Sequence, residues 1–144
     1  MQKNNKGKDI TKRKLVLEID RLAKNKYLNL LGFAAKSGKI AYGEEDVLNG
    51  IEKGKISLTI IAKDMPEKSR KRMEKKLIHA YENLYFEISG LKKKETEEIN
   101  VIIVGTKEEN SSAVGKVNKP VIGIKDRNLA KGIIKSILEE IDGE

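Results

Sequence analysis

The amino-acid sequence predicts an α/β fold in which a sheet is sandwiched between helices. Three observations carry that expectation. Short, almost wholly apolar runs stand at 57–62 (SLTIIA), 101–104 (VIIV) and 121–124 (VIGI), the pattern of strands covered on both faces. Between them lie stretches whose apolar residues recur every three or four positions, the spacing of amphipathic helices. Glycines and capping residues punctuate the changes of period, so strand and helix alternate along one chain.

Residues 1–9 are polar and lysine-rich and are expected to fray. Over 10–24, Leu15, Ile19, Leu22 and Ala23 recur at helical intervals, with Lys12, Arg13, Arg21 and Lys24 elsewhere. This predicts an extra helix, which either docks on the body, serves as a basic arm, or does both. Residues 1–25 are thus a basic tail plus helix ahead of a single domain over 26–144. A second helix over 26–37 turns Leu28, Leu31, Ala34 and Ala35 inward and stops at Gly38. Gly32 within it signals either close packing or a local weakness. Residues 39–42 are a short strand. Gly43 precedes a helix over 44–53 with Val47, Leu48 and Ile51 apolar, closed by Gly54.

The run 57–62 is the central strand. Asp64 is placed to cap the next helix, with Glu67 as its capping-box partner and Pro66 in the first turn. That helix carries Lys68, Arg70, Lys71, Arg72, Lys75 and Lys76 outside an inward stripe of Met73, Leu77 and Ala80. Over 83–99 the pattern is insertion-like: 84–88 reads as a strand, and 91–98 as helix or loop. Asn100 then leads into the strand 101–104, which Gly105 ends. Thr106 and Glu109 form a second capping-box pattern. Pro120 precedes the last strand, and Asp126 is placed to cap a final helix whose apolar face is Ala130, Ile133, Ile134, Ile137, Leu138 and Ile141.

Composition narrows the function. The 144 residues fit one ordinary domain, and 12 Gly with 2 Pro are not linker-like numbers. With no cysteine, disulfides, thiolate catalysis and cysteine zinc sites are excluded. A single histidine, His79, has no partner at a readable catalytic spacing. No phosphate-loop, dinucleotide or zinc-protease motif occurs, and Gly105-Thr106-Lys107 reads as a strand end plus helix cap. No enzyme activity, cofactor or metal is therefore expected. No apolar run approaches the ~20 residues of a membrane span, and the polar start lacks a signal peptide's apolar core, so the expected compartment is the cytoplasm and no membrane partner is expected. Against 22 acidic residues stand 30 Lys and Arg, a net charge of +8, which draws polyanions to the surface. With only Phe33, Phe86, Tyr27, Tyr42, Tyr81 and Tyr85 as aromatics, a stacking platform for single-stranded bases is not expected.

One stretch is distinctive. Leu30-Leu31-Gly32-Phe33-Ala34-Ala35-Lys36-Ser37-Gly38-Lys39 resembles the opening of the kink-turn-binding ribosomal proteins, the archaeal L7Ae-type and eukaryotic L30e-type group, and most of all its bacterial ribosomal-protein-like branch. The likeness continues through Gly43-Glu44-Glu45, residues 58–64, Ser69-Arg70, Gly105-Thr106-Lys107-Glu108-Glu109, Ala113-Val114-Gly115-Lys116 and 121–126. It covers about 26–82 and 100–141, and its order and spacing are more specific than any single piece. The resemblance implies a three-layer α/β/α sandwich with a central mixed sheet of four or five strands. It also implies structured RNA as the partner, possessing a kink-turn or similar internal loop, rather than DNA. Contacts would come from the end of the first strand, the N-terminus of the following helix and a late loop before the last strand.

Carried onto this chain, the resemblance places RNA contacts at Gly43, Glu44, Glu45, Asp46, Asn49, Lys116, Val117 and Lys119, with Lys36, Lys39 and Lys63 expected on the same edge. Four positions depart from the family's pattern: Tyr42 replaces a basic residue, Glu45 an Asn, Asp46 a Glu, and Asn49 a Lys. Asp46 can still accept a hydrogen bond from a guanine edge, whereas Glu45 loses amide donors and brings negative charge toward phosphates. Each position also has a plainer reading. Gly43 suits a helix cap, the acidic triplet suits a helix dipole, the 116–119 loop suits a solvated turn, and the lysines of 68–76 suit a solvated helix face. A non-catalytic RNA-binding protein is the expectation. The alternative is a protein-interaction module, associated with ribosome or transcription proteins, that has lost kink-turn specificity.

Overall fold

The computed structural model describes residues 16–18, 25–89 and 99–142. In chain order the elements are β1 (Val16–Glu18), α1 (Asn25–Lys36), β2 (Ile40–Tyr42), α2 (Glu44–Glu52), β3 (Leu58–Ile61), α3 (Glu67–Ser89), β4 (Val101–Ile103), α4 (Lys107–Ala113), β5 (Val121–Ile124) and α5 (Arg127–Asp142). The five strands form one sheet in the order β1-β4-β3-β5-β2. β4 runs parallel to β1 and β3, whereas β5 is antiparallel to β3 and β2. The sheet is therefore mixed, and β2 is one of its edges.

The apolar runs are buried because helices cover both faces. Side chains alternate across a strand, so Leu58, Ile60, Ile102, Ile122 and Ile124 meet Tyr27, Leu31 and Ala34 of α1 and Ala130, Ile133 and Ile137 of α5. Ile61, Val101, Ile103 and Val121 point the other way, onto Val47 and Ile51 of α2 and Met73, Leu77 and Tyr81 of α3. Each such aliphatic side chain contributes about 1.5–3 kcal/mol on burial. Thr59, fully buried among them, meets the Tyr81 hydroxyl at 3.1 Å. This is the expected three-layer sandwich. No helix among the described residues is long and apolar enough to cross a membrane.

Local signals held where their partners are local. Thr106 accepts from the Glu109 amide at 3.0 Å while Glu109 accepts from the Thr106 amide, completing the capping box of α4. Asp126 accepts from the Leu129 amide at 2.9 Å and caps α5. Gly32 serves close packing, since an added Cβ would lie 3.1 Å from the Ala113 carbonyl.

Other expectations are corrected. Within the helix expected over 10–24, residues Val16–Glu18 form a strand beside β4. An open ladder on β4 outweighs a weak local helix preference there; the rest of that segment lies outside the described residues. Residues 84–88 are not a strand, because α3 runs on to Ser89. Its inward stripe of Met73, Leu77 and Tyr81 carries the helical period into that stretch. The 91–98 segment lies outside the described residues. Asp64 does not cap α3, which begins three residues later at Glu67; its carboxylate accepts from the Lys107 amide at 2.9 Å instead. Leu138, expected on the inward face of α5, is exposed.

Candidate nucleic-acid interface

The strand directions bring four chain segments to one end of the sheet. The C-terminal ends of β2, β3 and β4 and the N-terminal end of β5 meet there, carrying Tyr42-Gly43, Ala62-Lys63, Gly105 to Lys107, and Lys119-Pro120. Backbone bonds lace the segments together. The Gly43 amide donates to Val121 (3.0 Å), that of Ala62 to Pro120 (2.9 Å) and that of Lys63 to Gly105 (2.8 Å).

Gly43 makes the turn from β2 into α2. Its φ of 89° with ψ of 162° lies where only glycine is comfortable, although nothing within 4 Å would obstruct a Cβ. The helix it opens has no side-chain cap, and its first turn is Glu44, Glu45 and Asp46, all exposed. The first amides of a helix lack internal partners, so this N-terminus presents donors beside three carboxylates. Those carboxylates do not act as one group. Glu44 is drawn to α3 by an ion pair with Lys76 at 2.9 Å, and Asp46 turns to a groove that it shares with Asn49 and Tyr42. Exposed on both sides, the Glu44–Lys76 pair is worth at most about 1 kcal/mol, but it leaves Glu45 as the open acid of the turn.

The loop between α4 and β5 is clamped by buried Ser111. Its carbonyl accepts from the Lys116 amide at 2.9 Å, and its hydroxyl oxygen accepts from the Lys119 amide at 2.8 Å. Gly115 and Asn118 take left-handed backbone angles, with φ of 74° and 59°. Pinned at both ends, the loop projects Val117, which is 82% exposed. It also folds its lysines over Tyr42: the ammonium groups of Lys116 and Lys119 stand 5.3 and 6.0 Å from the ring centre. Burial holds the Tyr42 phenol above its ordinary pKa, so the ring is a neutral platform at physiological pH.

Tyr42 is the residue that sequence reasoning undervalued. By position it is a lost basic residue, whereas in space it gathers two lysines by cation–π attraction. No local pattern signals that meeting, because the partners lie far apart in the chain. The other predicted residues divide. Gly43 to Asp46, Lys63, Lys116, Val117 and Lys119 come together at this end, and Asn49 follows one turn along α2. Lys39 does not join them. It precedes β2 at the opposite end of the sheet, where its carbonyl accepts from the Lys125 amide at 2.8 Å. Lys36 closes α1 and lines a separate hollow with Phe33, Glu109 and Ser112. Lys39 does not share the edge with Lys63 because strand direction, unlike proximity in sequence, decides which end of β2 a residue occupies, and Lys36 stands apart on α1.

Away from this end the chemistry is sparse. His79 is exposed and sits 3.2 Å from the Asn83 amide nitrogen. Among the described residues no group of three or more His, Cys, Asp or Glu could hold a metal ion. On α3, Lys71 pairs with Glu67 at 3.2 Å and Lys76 with Glu44, in keeping with a solvated helix face.

Comparisons with known proteins agree with this fold. The family model of the ribosomal protein L7Ae/L30e/S12e/Gadd45 family matches residues 25–128. Among solved structures, a protein of unknown function from Bacillus halodurans is 27% identical, with a TM-score of 0.63 over 81% of this chain and 100% of its own. A 15.5 kD RNA-binding protein of Giardia lamblia shares the fold at 20% identity, with a TM-score of 0.57 over 83% of this chain and 92% of its own. No curated protein matches significantly.

Proposed function

Because this chain belongs to the ribosomal protein L7Ae/L30e/S12e/Gadd45 family, we propose that it is a non-catalytic, cytoplasmic RNA-binding protein that recognises a kink-turn or similar internal loop. The observation that carries the reading is the convergence of the uncapped N-terminus of α2 with the clamped 115–120 loop over Tyr42. One end of the sheet then offers the three things a distorted RNA needs. Backbone amides in the first turn of α2, opened by the Gly43 turn, meet a phosphate. Asp46 accepts from the amino group of an exposed guanine edge. Val117 packs against an unstacked base while Lys116, Lys119 and Lys63 hold the backbone.

Glu45 works against this grip. It is exposed beside the amides that would meet phosphate, and it lacks the donors of an amide. The test is a salt-controlled comparison of a kink-turn RNA with a matched duplex, for the protein and its Glu45→Asn variant. Preference for the kinked RNA, strengthened by Glu45→Asn, is expected; equal affinity for both RNAs refutes kink-turn recognition.

The exposed acidic first turn of α2 favours one second reading: a module that binds a ribosomal or transcription protein on the same fold. Under it, partner capture survives ribonuclease and kinked RNA is not bound. Loss of the partner on ribonuclease treatment refutes it.

A further inference from the structure

We infer that the end of the sheet opposite the 115–120 loop carries a second RNA-backbone anchor, formed by Lys39, Lys53, Lys55 and Lys125 and joined to the recognition helix by a groove along the edge strand β2. The inference rests on the RNA reading of the first end and adds where a stem leaving the kink would run.

The groove has a volume of about 350 Å³. Tyr42, Asp46 and Asn49 line it toward the first end, and Lys53, Lys55 and Lys125 toward the other. Lys39 joins this group through the backbone, since its carbonyl receives the Lys125 amide. Four lysines from three separate segments thus converge: the approach to β2, the exit of α2 and the exit of β5. All four are exposed, and no ion pair among the described residues engages them. The acids next to them in sequence are turned elsewhere. Glu52 lines the hollow between α2 and α3 with Lys76 and His79, and Asp126 is committed to the Leu129 amide.

Attraction to the negative end of the α2 dipole explains lysines at positions 53 and 55. It does not explain Lys39 or Lys125, which flank strands. A repeating polyanion laid along the groove does. From Gly43 to Lys39 is about 13 Å at the rise of a strand, a span that one RNA strand covers with a few successive phosphates. Asp46 and Asn49 line the start of that path, which is therefore continuous with the surface assigned to base contacts.

The test compares the protein with a Lys39→Gln/Lys55→Gln/Lys125→Gln variant on a kink-turn RNA with long flanking stems, and on the same RNA with each stem shortened in turn. Equal melting temperatures establish that the variant is folded. If three phosphate contacts are lost, the slope of log affinity against log salt falls by about 2.7. Between about 50 and 200 mM salt, the native protein then loses about 40-fold more affinity than the variant. Shortening one particular stem should remove that difference. Identical salt slopes, with kink preference retained by both proteins, overturn the second anchor alone. The same slopes combined with lost binding to an acidic peptide assign the cluster to a protein partner and also overturn it. Equal affinity of the native protein for kinked and plain RNA overturns the underlying reading and this inference with it.

Discussion

Replacing Gly105 with alanine should cost about 2–5 kcal/mol of stability, and the cost should depend on a hydroxyl from another helix. Gly105 ends β4 with φ of +70°, a left-handed conformation that costs a residue bearing Cβ about 1–2 kcal/mol. The new Cβ would also overlap the Tyr27 hydroxyl and stand 2.7 Å from Asn110 Oδ1. Those two groups are partners: the Tyr27 hydroxyl donates to Asn110 Oδ1 at 2.8 Å, and Asn110 Nδ2 donates to the Val104 carbonyl at 3.0 Å. Forcing them apart leaves buried polar atoms unsatisfied, at about 1–3 kcal/mol. Urea unfolding of Gly105→Ala, Tyr27→Phe and the double variant measures both terms. Tyr27→Phe removes the obstructing oxygen, so the double variant should be more stable than the sum of the single effects by about 1 kcal/mol. A loss below about 1 kcal/mol for Gly105→Ala, or strict additivity, refutes the overlap. The site shares the consequence, because the Gly105 carbonyl holds the Lys63 amide at the candidate RNA edge.

Four further outcomes follow from the geometry. Tyr42→Ala should weaken RNA binding by roughly 5-fold or more, since two cation–π contacts at about 0.5–1 kcal/mol each keep the lysines over the strand end, whereas Tyr42→Phe should bind nearly as the native protein; titration calorimetry separates them. Lys119→Glu should reduce RNA affinity without a change in melting temperature, and unchanged affinity removes this residue from the interface. Glu45→Asn should raise affinity for kinked RNA and leave stability within about 0.5 kcal/mol, as expected of an exposed position. Burial, then the Glu109 and Glu140 carboxylates, hold the Tyr27 phenol well above its ordinary pKa of 10.0. The folded state therefore keeps a proton that the unfolded chain releases above about pH 10, and stability falls as pH rises through that range. Unfolding measured at pH 9 and 11 should show a smaller drop for Tyr27→Phe than for the native protein; equal drops refute the assignment.

Much of the fold was legible because its signals are local. The covered runs at β3, β4 and β5 announce buried strands by composition alone. The caps at Thr106 and Asp126 need only a residue three positions away. The stop at Gly38 and the turn at Gly43 require left-handed or glycine-only backbone, which only the side-chain-free residue adopts without strain. Legibility failed where a partner lies far along the chain. Val16–Glu18 pairs with β4 across most of the sequence, against its own helical spacing. Asp64 looks like a cap for α3 and instead serves the amide of Lys107.

The candidate site divides in the same way. Sequence by itself determined its basic charge, its glycine turn and the acidic start of α2, since these are properties of residue types in order. Only the tertiary structure decided which end of the sheet each group occupies. The antiparallel pairing of β2 with β5 sends Tyr42 to Lys116 and Lys119 and sends Lys39 to Lys125. Strand direction is set by how the covered sheet packs between its helices, and no window of sequence shorter than the whole domain contains that information.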